Sequence, residues 1–86
     1  MKIRLSAPAE KAWQKLPLNI RKKAEKQLRF LIVDIFHSSL RTKKLSGRAG
    51  VWEARIDYHY RMTFQKEGDM IIIRAIGPHD TGLGKK

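Results

Sequence analysis

The stretch that decides the fold is Val51–Asp80, VWEARIDYHYRMTFQKEGDMIIIRAIGPHD. Its side chains alternate with a period of two. In VWEARID, Trp52, Ala54 and Ile56 fall on one face, and Val51, Glu53 and Arg55 on the other. In YRMTFQ, Tyr60, Met62 and Phe64 oppose Arg61, Thr63 and Gln65. Such alternation marks half-buried strands. Asp57-Tyr58-His59 makes the turn between them. Gly68-Asp69 suits a second, two-residue turn, because glycine takes a positive φ without steric cost. Met70–Ile76 is apolar on both faces apart from Arg74, which predicts a central, well-covered strand. Gly77-Pro78 ends it and presents His79-Asp80.

Upstream, the period changes to that of a helix. Lys2-Ile3-Arg4-Leu5 is a short alternation and reads as a strand. Ser6 caps a helix that tolerates Pro8 in its first turn and carries Ala9, Ala12, Trp13 and Leu16 on one face. Pro17 punctuates. A longer helix follows from about Leu18 to Phe36, with Ile20, Ala24, Leu28, Leu31, Ile32 and Ile35 as its apolar stripe. Arg21, Lys22, Lys23, Glu25, Lys26 and Arg29 form its other face. So tight a junction predicts an antiparallel helical hairpin. Residues His37–Gly50, HSSLRTKKLSGRAG, are polar and aperiodic, and read as a loop carrying Arg41, Lys43, Lys44 and Arg48. The predicted order is β-α-α-β-β-β, an α+β fold with the helical hairpin packed on one face of a twisted antiparallel sheet.

Composition bounds the rest. Eighty-six residues, 42% of them apolar and 31% charged, suit one domain spanning residues 1–86. There is no cysteine, so disulfides and thiolate metal sites are excluded, and His37, His59 and His79 lack zinc-type spacing. No run approaches the roughly 20 apolar residues of a membrane helix. The N-terminus has no signal-peptide pattern. A cytoplasmic protein with no metal, no cofactor and no membrane partner is expected. The net charge of +11 comes from 19 Lys and Arg against 8 Asp and Glu. Self-repulsion of that size points to an anionic partner, nucleic acid first and an acidic protein second.

Strand register gathers the cations. If Arg55 faces Arg61, then Glu53 faces Thr63. If Gly68-Asp69 is a two-residue turn, Glu67 faces Met70, Thr63 faces Arg74, and Arg61 faces Ile76. Arg55, Arg61 and Arg74 then share the face that the helices leave open, and Arg61 lies beside the strand end leading to His79. Opposed arginines repel each other unless a carboxylate or a bound anion sits between them. Glu53, Asp57 and Asp80 are the available carboxylates, and a phosphate matches guanidinium forks better.

The segments LPLNIRKKAEKQLRFL, LRTKKLSGRAGVWEARIDYHYRMTF and IIIRAIGPHD resemble the RelE/ParE superfamily of bacterial toxins from toxin–antitoxin pairs. The resemblance runs over nearly the whole chain. It is carried by the Lys44-Leu45-Ser46-Gly47 loop before VWEARI, by Tyr60-Arg61, and by the Gly77-Pro78-His79-Asp80 end. It implies a metal-independent endoribonuclease that cuts messenger RNA in the ribosomal A site, with a 2′-hydroxyl attacking the adjacent phosphate to leave a 2′,3′-cyclic phosphate. Arg61 would stabilise the phosphate and His79 would carry a proton, a role suited to a group titrating near neutrality. Lys43, Lys44, Arg48, Arg55 and Arg74 would contact RNA or phosphate, and Asp80 would orient His79 or hold Arg61. The implied partners are a cognate antitoxin, the ribosome and mRNA, with operator DNA reached only through the antitoxin. Two alternatives stand beside this reading. One is a ParE-like poison of DNA gyrase. The other is a catalytically weak member acting only in an antitoxin–DNA repressor complex. Many active members place a Tyr or Phe shortly after this histidine, whereas Thr81–Lys86 contains none.

Overall fold

The structure is a computed structural model and describes residues 1–78 of the chain. Strand β1 (Lys2–Leu5) leads into helix α1 (Ala7–Lys15) and helix α2 (Leu18–Val33); β2 (Lys43–Lys44), β3 (Val51–Arg55), β4 (Tyr60–Glu67) and β5 (Met70–Pro78) follow. The strands form one sheet in the order β1-β5-β4-β3-β2. Two helices on one face of a five-stranded sheet give the expected α+β architecture.

The sheet is mixed, because β1 joins β5 in parallel, pairing Ile3 with Ile71 and Leu5 with Ile73. Hairpin signals are local and fix only the antiparallel β3-β4-β5 run; the docking of β1 is a long-range pairing that leaves no local trace. The helices bury Ala9, Leu16, Ile20, Ala24 and Leu31 against Ala54, Ile56, Met62, Phe64, Ile71, Ile73 and Ile76 of the sheet. Phe64, Met62, Ile71 and Ile73 are wholly buried, each worth about 1.5–3 kcal/mol relative to exposure. Trp13 and Trp52 pack on the same core.

α2 stops at Val33, short of Phe36. The Asp34 carboxylate accepts the Phe36 backbone N–H at 2.9 Å, turning the chain out of the helix. Ile32, expected on the apolar stripe, is 38% exposed, and Gln27 occupies a buried position of the helix. The amide of Gln27 donates to the carbonyls of Ser39 at 3.1 Å and Arg55 at 2.8 Å, which satisfies its burial.

The predicted loop at 37–50 is more ordered than its polarity implies. It holds a single 3₁₀ turn, Ser38–Leu40, and the short strand β2. Its leucines, Leu40 and Leu45, are buried and pin it to the body.

β4 and β5 carry a register shift between Thr63 and Phe64. Phe64 faces Ile73 while Thr63 faces Ala75, so Arg74 is the extra residue of a bulge. Arg61 therefore faces Gly77, not Ile76, and Thr63 faces Ala75, not Arg74. The physical reason is burial. Uninterrupted alternation from Ile71 and Ile73 would turn Ile76 outward, and the bulge returns it to the core at 7% exposure. The hydroxyl of Ser6 accepts the Ala9 N–H and donates to the Arg74 carbonyl, so one residue both caps α1 and satisfies the bulge.

Candidate functional site

The pairing of β3 with β4 sets Arg55 opposite Arg61 and Glu53 opposite Thr63, as the sequence predicts. β2 adds Lys43 opposite Glu53. With Arg41, these side chains line a groove of about 310 Å³ in which Arg41, Lys43, Arg55 and Arg61 surround one carboxylate, Glu53. Glu53 is buried, at 4% exposure, and its carboxylate lies 3.7 Å from the Lys43 ammonium. A buried carboxylate needs such a partner.

The opposed arginines are relieved by backbone oxygens. Arg61 Nη1 donates to the carbonyls of Asp57 (2.6 Å), Tyr58 (3.1 Å) and Tyr60 (3.0 Å). Arg55 Nε donates to the Asp57 carbonyl at 3.4 Å. Of the carboxylate residues expected between them, Glu53 lines the same groove, Asp57 takes part through its main chain, and Asp80 lies outside the described residues. The neutral carbonyls hold both forks without cancelling their charge, so the groove keeps its positive potential.

The carboxylate of Asp57 builds the turn itself. Its Oδ1 accepts the N–H groups of His59 and Tyr60, each at 2.9 Å, and its Oδ2 lies 3.4 Å from Lys23 Nζ on α2. Burial pushes its pKa up, but the Tyr60 and His59 N–H groups and the Lys23 ammonium outweigh that and hold the carboxyl below its ordinary value. The Asp57 carboxylate thus fixes the turn whose carbonyls fix Arg61.

Other candidates lie elsewhere. Lys44 pairs with Trp52 and sits 5.5 Å from the centre of its ring, so consecutive strand residues send Lys43 to the groove and Lys44 to Trp52. Arg48 is exposed and does not line the groove. Arg74 donates to Gln65 at 2.7 Å and also lies outside the groove lining. His79 and Asp80 lie outside the described residues. Arg41 was not among the site residues predicted from sequence. Its backbone is left-handed, with φ 49° and ψ 46°, a conformation costing a non-glycine residue about 1–2 kcal/mol. Nothing in HSSLRT signals that conformation, which turns Arg41 into the groove.

A family model for the ParE-like toxin domain matches residues 18–81. The YoeB/ParE toxin from Agrobacterium tumefaciens is similar in structure, with a TM-score of 0.76 at 20% identity, over 92% of this chain and 99% of that one. The archaeal RelE–RelB complex from Pyrococcus horikoshii OT3 gives 0.76 at 19% identity, over 93% and 96%. The isolated E. coli RelE toxin gives 0.73 at 19%, over 90% and 82%. At these identities the structural likeness concerns the fold. No curated protein matches the chain in sequence.

Proposed function

The chain belongs to the ParE-like toxin domain family, and from that premise we propose that it is the toxin of a toxin–antitoxin pair, acting as a metal-independent, ribosome-dependent mRNA endoribonuclease. The observation that carries this reading is the groove in which Arg41, Lys43, Arg55 and Arg61 converge on the sheet face opposite the helices. Phosphoryl transfer from a ribose needs little more from a protein than alignment, proton transfer and fixed positive charge. The 2′-oxygen forms a bond to phosphorus as the bond to the 5′-oxygen breaks, leaving a 2′,3′-cyclic phosphate. One proton leaves the 2′-hydroxyl and one reaches the departing 5′-oxygen. Arg61, anchored by three carbonyl contacts through one nitrogen, supplies charge to the crowded phosphate without reorganising. Arg55 and Lys43 extend that charge along the RNA backbone. His79 is the proposed proton carrier on the strength of the sequence resemblance, and Asp80 its orienting partner. Arg48, Lys44 and Arg74 are proposed as outer backbone contacts.

An antitoxin partner is supported by the structures similar to this chain, which include RelE–RelB and YoeB–YefM complexes, and a net charge of +11 favours an acidic partner segment. The test is tightly controlled expression with mapping of transcript ends during translation. Wild-type protein cuts messages at ribosome-occupied sites, and Arg61→Ala and His79→Ala lose cutting by about 100-fold or more, the scale of removing one electrostatic or acid–base contribution. Intact messages accompanied by double-strand DNA breaks would overturn the reading in favour of gyrase poisoning. Intact messages, unbroken DNA and a repressor complex with antitoxin would reduce the chain to a binding role.

A further inference from the structure

The β3–β4 turn carries a large aromatic that the fold does not use. Tyr58 is 73% exposed, the most exposed aromatic residue among the described residues. It is nonetheless held. The His59 ring meets it edge-on at 4.9 Å, and the Arg55 guanidinium lies 5.8 Å from its centre. The turn beneath it is fixed by Asp57, through two backbone N–H groups and Lys23. Beside the ring opens a second hollow, of about 530 Å³, bordered by Lys26, Ser38, Arg41, Arg55 and Tyr58 among others. It shares Arg41 and Arg55 with the cationic groove. An exposed, orientationally restrained ring, next to cations that hold a phosphate, is the arrangement by which single-stranded nucleic acid is gripped.

We propose that Tyr58 is a stacking platform for a nucleobase of single-stranded RNA, with the base lying in the hollow over the Tyr58 ring and its neighbouring phosphate on the Arg55–Arg61 groove. The inference rests on the reading of the groove as an RNA site and names the part of the substrate it takes. Arg55 is the hinge of the arrangement, since it borders both spaces and also faces the Tyr58 ring. Because every base has a π-face, the platform favours single strands without choosing a sequence. The phenol hydroxyl is dispensable; the ring is not.

The experiment is titration of the full chain with a fluorescein-labelled 2′-O-methyl-RNA octamer, which cannot be cut because its 2′-oxygen is blocked. Wild type, Tyr58→Ala, Tyr58→Phe and Arg61→Ala are compared across a salt series. Tyr58→Ala weakens binding by about 5- to 150-fold, the effect of losing one stacked base, while Tyr58→Phe stays within about two-fold of wild type because the π-face survives. Tyr58→Ala leaves the salt slope unchanged, whereas Arg61→Ala lowers it by about 0.7, the value for one lost phosphate contact on a single strand. Equal affinity of wild type and Tyr58→Ala overturns the platform, as does equal weakening in Tyr58→Phe and Tyr58→Ala. The two readings separate cleanly. Tyr58-dependent binding with intact cellular messages keeps the platform and overturns the nuclease, and cut messages with Tyr58-independent binding do the reverse.

Discussion

Replacing Asp57 with Ala tests the chain of support beneath the groove. The carboxylate accepts two backbone N–H groups at 2.9 Å and faces Lys23 at 3.4 Å. A hydrogen bond to a charged group is worth about 1.5–3 kcal/mol when its loss leaves a donor unsatisfied. The turn lies at the surface, where water replaces part of that, so Asp57→Ala is expected to cost about 2 kcal/mol in total. That is a large fraction of the 5–15 kcal/mol typical of a whole domain, and corresponds to a fall in Tm of about 8–16 °C. The carboxyl is held below its ordinary value near 3.8, so the folded state takes up a proton less readily than the unfolded chain. Its contribution is therefore complete above about pH 4 and disappears as the pH falls through the lowered native pKa. Asp57→Asn keeps the acceptor oxygen but loses the charge, and with it that acid-side slope. Urea titrations at pH 7, 4 and 3 on wild type and both variants measure all of this. Coincident transitions for wild type and Asp57→Ala at pH 7 would refute the role given to the turn. Identical acid slopes for wild type and Asp57→Asn would refute the assignment of the charge.

Other perturbations reach different parts of the molecule. Phe64 is wholly buried at the centre of the sheet, and Phe64→Ala should cost about 3–5 kcal/mol in chemical denaturation, enough to unfold a marginal domain. Gln27→Leu removes both links from the buried Gln27 of α2 to the carbonyls of Ser39 and Arg55; a loss of about 1–3 kcal/mol is expected by thermal melting. Arg41→Gly relieves a left-handed backbone while deleting a groove cation, so it should raise stability by about 0.5 kcal/mol and weaken oligonucleotide binding. Lower stability with unchanged binding would count against both halves of that expectation. Glu53→Gln removes the groove's carboxylate, and single-stranded RNA should bind more tightly at low salt by about 3-fold or more, the effect fading as salt rises.

Much of the architecture is legible in particular residues. Alternation at Trp52, Ala54, Met62 and Phe64 places the strands and their inward faces and puts Arg55 and Arg61 on the other face; their direct opposition is a supposed register in the sequence that the β3–β4 pairing realises. The family membership is legible as well, because the Lys-Leu-Ser-Gly, Tyr-Arg and Gly-Pro-His-Asp segments keep their order and spacing. The site is legible only in part. Lys43 and Lys44 look equivalent as neighbours, and the pleat of β2 sends one to Glu53 and the other to Trp52. Arg74 seems to belong with Arg61 until the bulge gives it to Gln65. Arg41 carries no local mark of the left-handed backbone that brings it to the groove.

Sequence alone determined the order of the two helices and of four of the five strands, the apolar faces, the charge and the family. Each of these rests on periodicity, composition or short motifs, which act within a few residues. The tertiary structure decided the parallel docking of β1, the bulge at Arg74, the membership of the groove and the use of main-chain carbonyls to hold opposed arginines. Those depend on which distant surfaces bury together. The need to cover Ile76 sets a register that no local rule contains, and the burial of Leu40 and Leu45 holds a polar segment along the β3 edge of the sheet and delivers Arg41 and Lys43 to the groove of Arg61.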